Sequence, residues 1–212
     1  MVGTKLLERM LTISRSAGGG DLEGSFLPGR PPQVGGAVIA PPHPLHGGSM
    51  DSPVASELAW ACASAGIPSL RFNWRGVGAS AGEATGDAAA ADEDYAAALA
   101  HQKESVAGPL VACGYSFGAC AAARAGSREL RVRRLVLVAP PPSLLDRAAL
   151  AAFAGRALVV VGAGDRIAPP RELEAIASDA QVRLHVIPEA DHFFGAGLAE
   201  LGRIAREWLG RT

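Results

Sequence analysis

Ser116 stands where a serine can become a nucleophile. It lies in Ala112-Cys113-Gly114-Tyr115-Ser116-Phe117-Gly118-Ala119, after an apolar run and before an alanine-rich segment. A Gly-x-Ser-x-Gly pattern between a strand and a helix is the arrangement of a nucleophile elbow. A serine at the tip of so tight a turn needs small neighbours two positions away, and Gly114 and Gly118 provide them. The helix N-terminus behind it offers free N–H groups and a partial positive charge to a developing oxyanion.

A serine of this kind needs a base and an acid. Asp165 follows the apolar run ending at Val161, in Gly162-Ala163-Gly164-Asp165. It can orient a histidine and stabilise its cation, or it can be a turn residue capping the helix after Pro169. His192 follows the run ending at Ile187, in Glu189-Ala190-Asp191-His192-Phe193-Phe194. Its alternative is a loop histidine packed beneath a phenylalanine. Asp191 is adjacent to it and is expected to hold the loop through backbone N–H groups. Serine, aspartate and histidine, each at the end of a strand and in that order, follow the chain order of the hydrolase triad.

The remaining histidines compete less well. His185 lies inside a strand and His101 ends an alanine-rich helix. His43 and His46 have a spacing that can begin a zinc site, but no third ligand is placed, so no metal is expected. Their loop, 41–50, is instead the expected source of the second oxyanion donor, a backbone N–H. Leu45 N–H is the favoured donor, with Phe117 N–H as its partner and Gly47 or Gly48 as the fallback.

The elements that must carry these residues alternate. Strands are predicted at 10–14 and 22–27, joined by a loop through glycines 18–20 as an antiparallel hairpin. Further strands are predicted at 37–40, 70–73, 110–114, 135–139, 157–161 and 182–187. Helices are predicted at 53–66, 88–102, 117–125, 144–154, 171–177 and 198–209. The pattern implies an α/β fold, with a mostly parallel sheet of about eight strands and helices on both faces. Sites in such sheets form at the carboxyl ends of the strands.

The chain has 212 residues, 49% of them hydrophobic and 19% charged, which suits a single domain spanning 1–212. A net charge of -1 gives no electrostatic reason to expect nucleic acid or an anionic membrane as partner. Arg131, Arg133 and Arg134 form the one basic cluster and read as a solvated loop. Met1 to Met10 lacks the apolar core of a secretory signal. No stretch approaches the roughly 20 apolar residues of a membrane span. The three cysteines, Cys62, Cys113 and Cys120, read as free core residues, and a cytoplasmic location is expected.

Five motifs together resemble the α/β-hydrolase superfamily, and within it a small, lidless bacterial branch of dienelactone-hydrolase-like predicted hydrolases. They are His43-Pro44-Leu45-His46-Gly47-Gly48-Ser49-Met50, the segment Leu70 to Ser80 containing Arg71-Phe72-Asn73-Trp74-Arg75-Gly76, Gly114 to Gly118, Gly164-Asp165 with Pro169, and Ala190 to Phe194. The resemblance implies Ser116 as nucleophile, His192 as base and Asp165 as acid. Relatives with dienelactone activity use cysteine where this chain has Ser116. The implied activity is therefore hydrolysis of small acyl esters, with acyl transfer, perhydrolysis or a non-catalytic binding role as alternatives. Only Pro140 to Gly155 is available for a lid, so the site is expected to be open and shallow. His46, Trp74, Tyr115, Leu144 and Phe193 are expected to line it, core packing being the other fate open to the aromatics. No cofactor motif is seen, and monomer and homodimer are both left open.

Overall fold

Strands that are apolar on both faces need cover on both faces, and the chain supplies it. The computed structural model describes residues 6–15, 19–178 and 182–210. Met1 to Lys5 and Gly18 of the expected hairpin loop lie outside the described residues. The strands are β1 (Arg9–Ser14), β2 (Asp21–Leu27), β3 (Gly36–Ala40), β4 (Ser69–Phe72), β5 (Leu110–Tyr115), β6 (Val132–Val138), β7 (Arg156–Gly162) and β8 (Val182–Ile187). The helices are α1 (Pro53–Ser64), α2 (Ala88–Ser105), α3 (Phe117–Arg128), α4 (Arg147–Ala152), α5 (Pro170–Ala177) and α6 (Leu198–Leu209).

All eight strands form one sheet in the order β1-β2-β4-β3-β5-β6-β7-β8. β1 and β2 form the antiparallel hairpin, β2 meets β4 antiparallel, and the other pairings are parallel. β3, β4 and β5 are buried at every position, as central strands must be. α1 packs with α6, while α2 packs with α3 and α3 with α4.

Two features of this arrangement place the site. From β3 the chain turns to β4 on one side and then crosses to β5 on the other, so the loops after β3 and β5 diverge. That reversal opens a crevice at the carboxyl ends of adjacent strands. α3 then lies close on β5 because its inner residues are small. Ala119, Cys120, Ala121, Ala122 and Ala123 are all fully buried.

The basic cluster differs from its expected role as a solvated loop. β6 begins at Val132 and includes Arg133 and Arg134. Arg134 donates to Leu209 O and lies over the Trp208 ring. Arg131 donates to Lys103 O, Val106 O and Gly108 O, which satisfies carbonyls at and beyond the end of α2. α4 is also shorter than expected. Leu144 and Leu145 N–H turn back to Pro141 O, and Asp146 caps the helix by accepting from Ala149 N–H. Between β6 and β7 there is thus one six-residue helix and no lid domain. The three cysteines are free and buried. Among the described residues no helix is long and apolar enough to cross a membrane.

Candidate active site

Ser116 is the hinge between β5 and α3, with φ 55° and ψ −119°. Such a backbone costs a non-glycine residue about 1–3 kcal/mol and persists only where its surroundings enforce it. Here Ser116 N–H donates to Val138 O at 2.8 Å, and Ser116 O accepts from Ala119 N–H at 2.9 Å. The two glycines are required by contact. A β-carbon at Gly114 would collide with Gly118 O, and one at Gly118 with Pro41 O. The turn is therefore pressed against its own helix on one side and the loop after β3 on the other.

Asp165 and His192 come to this serine from the ends of β7 and β8. His192 Nδ1 lies 2.8 Å from Asp165 Oδ2, and His192 Nε2 lies 3.0 Å from Ser116 Oγ. A carboxylate only accepts, so Nδ1 carries the proton and Nε2 is left to accept from the serine hydroxyl. Asp165 Oδ1 accepts from Ile167 N–H at 2.8 Å and from Ala168 N–H at 2.7 Å. The carboxylate is thus held by its own turn while its other oxygen serves the imidazole. All three side chains belong to buried residues, Ser116 being 8% exposed. As expected, Asp191 holds the loop, accepting from Phe193 N–H at 3.0 Å.

The side chains expected to line a pocket divide into two groups. Phe193 is 70% exposed, with its ring perpendicular to His192 at 5.5 Å, and Leu144 and His46 are also exposed. Trp74 and Tyr115 are buried and committed elsewhere, so they brace the site instead of lining it. Tyr115 OH donates to His192 O at 2.8 Å, tying the residue before the serine to the loop that carries the imidazole. Burial, with Asp165 and Asp191 nearby, pushes the Tyr115 phenol up to about 12.

The loop after β3 is ordered differently from expectation. Leu45 N–H, the favoured second donor, points to His43 Nδ1 at 3.2 Å. Gly48 N–H is taken by His43 O at 3.1 Å. Pro41 and Pro42 have no N–H, so His43 supplies the first amide after β3, and no described group accepts it. The His43 ring lies 4.7 Å from that of Phe117 and 4.6 Å from that of His46. Burial, and secondarily His46, lowers the His43 pKa, which favours the neutral ring that accepts from Leu45. Phe117, as the first residue of α3, has an N–H with no acceptor inside its helix.

This architecture has relatives. An α/β serine hydrolase homologue from Coxiella burnetii is 30% identical, with 95% of this chain and 97% of that chain covered and a TM-score of 0.87. The chain belongs to the α/β-hydrolase superfamily. A family model described as serine aminopeptidase, S33, matches residues 43–147 of this hydrolase. A putative α/β-hydrolase from Agrobacterium tumefaciens is 26% identical, with 96% and 95% of the two chains covered and a TM-score of 0.86. An α/β serine hydrolase without a lid from Xanthomonas campestris is 28% identical, with 100% and 99% covered and a TM-score of 0.77. The absence of a lid domain in this hydrolase agrees with that likeness.

Sequence reasoning missed the bracing role of Tyr115 and the contacts of Arg71, Asn73 and Trp74. A signal was present for two of these: Arg71 and Asn73 are polar residues in an otherwise apolar strand run, and both are buried.

Proposed function

We propose that this α/β-hydrolase cleaves small acyl esters by way of an acyl-enzyme on Ser116. The observation that carries this reading is the continuous chain from Asp165 Oδ2 through His192 to Ser116 Oγ, with links of 2.8 and 3.0 Å. Ser116 Oγ attacks the acyl carbonyl as its proton passes to His192 Nε2. Asp165 keeps the imidazole in the required tautomer and stabilises its cation. The carbon–oxygen bond to the alcohol then breaks, and the alkoxide takes the proton from His192. Water, deprotonated by the same nitrogen, attacks the acyl-enzyme and releases the acid and the free serine.

In this reading the oxyanion is held by Phe117 N–H and by an N–H of the loop after β3. The engagement of Leu45 and Gly48 leaves the N–H groups of His43 and Gly47 without a described acceptor, and His43, whose ring lies beside that of Phe117, is favoured for the second place. A small acyl group suits a site with no lid domain over it, and Phe193 is the apolar surface beside the imidazole.

The test is turnover of p-nitrophenyl acetate and butyrate together with fluorophosphonate labelling, for wild type and Ser116→Ala. Wild type should label at Ser116 and hydrolyse both esters, and the variant should do neither, with kcat lower by about a millionfold. Absence of wild-type labelling would sink the serine-nucleophile reading. Faster cleavage of an aminoacyl p-nitroanilide than of either ester would replace ester with amide as the substrate.

A further inference from the structure

Three residues in and just beyond β4 carry buried polar atoms that the proposed reaction leaves unused. Arg71, Asn73 and Trp74 are 4%, 3% and 2% exposed. Arg71 and Asn73 stand two apart, so an extended chain sends both side chains to one face. Both close on a single residue. Arg71 Nη1 donates to Met50 O at 2.7 Å, and Met50 N–H donates to Asn73 Oδ1 at 2.8 Å. Each is itself anchored. Arg71 Nη2 donates to both carboxylate oxygens of Glu8 at 2.7 Å, and Asn73 Nδ2 donates to Glu23 Oε2 at 2.8 Å.

Trp74 reaches the other end of the same loop. Its Nε1 donates to Pro42 O at 3.0 Å and to Pro41 O at 3.3 Å. The indole cannot swing away, because it stands edge-on to Phe72 at 4.9 Å and to Phe117 at 5.7 Å. The Pro42–His43 peptide is trans. Such a unit is planar, so a fixed Pro42 carbonyl fixes the direction of the His43 N–H. One short segment therefore clasps loop 41–50 at its start and at Met50. None of these contacts touches Ser116, Asp165 or His192.

We infer that Arg71, Asn73 and Trp74 are positioning residues that hold the His43 N–H in register with the Phe117 N–H for the transition-state oxyanion. The inference rests on the hydrolase reading above. It separates two functions in the site: proton transfer depends on the Ser116–His192–Asp165 chain, and oxyanion binding depends on the β4 clasp.

The test is Trp74→Phe in the full chain, which keeps an aromatic ring between Phe72 and Phe117 and removes the N–H. The kcat for p-nitrophenyl acetate should fall roughly ten- to a hundredfold per fluorophosphonate-titrated site. Inhibition by phenylboronic acid, which forms a tetrahedral adduct on Ser116, should weaken by a similar factor. KM should stay within about twofold, because the loss is confined to the transition state. The acid limb of the pH–rate profile should not move. Asn73→Ser, which loosens the loop at Met50 alone, should show the same split at smaller size. Wild-type kcat and boronate affinity in Trp74→Phe would overturn the clasp, as would a loss confined to KM or one accompanied by a shifted acid limb. If wild type is neither labelled nor active, the hydrolase reading falls and the clasp falls with it. If wild type is active and both variants match it, the clasp alone is wrong.

Discussion

The two walls of the site are built by opposite means. On one side Ser116, Asp165 and His192 stand at three strand ends. The aspartate is held by its own turn, and the serine by its own turn and by the end of neighbouring β6. Asp165 needs only the amides of Ile167 and Ala168, and Ser116 is placed by Val138 O and Ala119 N–H. On the other side, loop 41–50 is held by side chains distant in sequence: Trp74 at Pro41 and Pro42, and Arg71 and Asn73 at Met50. Side-chain chemistry can be set by local turns because the reacting atom belongs to the turn. A backbone donor brings no side chain of its own to fix it, so its position is borrowed from neighbours. The first wall should respond to mutation by losing one chemical step, and the second by losing alignment.

After Ser116→Ala, the largest effect expected within the first wall comes from Asp165→Asn. The new amide can still accept from Ile167 and Ala168 through its oxygen, but its NH2 faces His192 Nδ1 and reverses the imidazole tautomer. kcat should fall about ten-thousandfold with little change in melting temperature. A loss below about tenfold would show that the acid is dispensable and that local turns are not what sets the chemistry.

Gly118→Ala strikes the seam between the walls, because its β-carbon meets Pro41 O, which is backbone and cannot move aside alone. A cost of about 3 kcal/mol is expected. At ~2–4 °C per kcal/mol, calorimetry should show a melting temperature several degrees lower. An unchanged melting temperature would mean that the loop and the elbow are not in firm contact.

Tyr115→Phe is the mildest change, since it removes one oxygen and leaves His192 O without its donor, at about 1–2 kcal/mol. It also predicts a pH dependence. The Tyr115 phenol is raised to about 12 in the folded chain, against about 10 in the unfolded one. The unfolded chain therefore releases this proton first, and stability falls as pH rises from about 10 to about 12. Urea melts across that range should show less alkaline loss for Tyr115→Phe. Tyr95, also shifted upward by burial, is present in both proteins and cancels in the comparison. Parallel alkaline losses would remove Tyr115 from the brace.

The first wall was legible in the sequence and the second was not, for the same physical reason. Gly114, Ser116, Gly118, Asp165 and His192 announce themselves by residue type and by position after apolar runs. Strand alternation was equally legible, because both-face burial demands continuous apolar residues. The proposed donor after β3 is a main-chain atom, and residue type says little about which amide is free. The expectation of Leu45 missed that a preceding histidine, His43, caps it. For Trp74 and Tyr115 residue type leaves pocket lining and core packing both open. Their N–H and O–H partners, 32 and 77 residues away in the chain, could not be read from spacing. The arginines at 133 and 134 were read by charge, whereas their strand is set by pairing with β5 and β7.

The φ of 55° at Ser116 carries a consequence for how this chain evolves. Glycine would occupy that conformation without strain, recovering part of the stored energy at the expense of a more flexible unfolded chain. Selection for durability alone would therefore push position 116 away from serine. On the proposed hydrolase reading, serine at this position is what reactivity requires and durability does not.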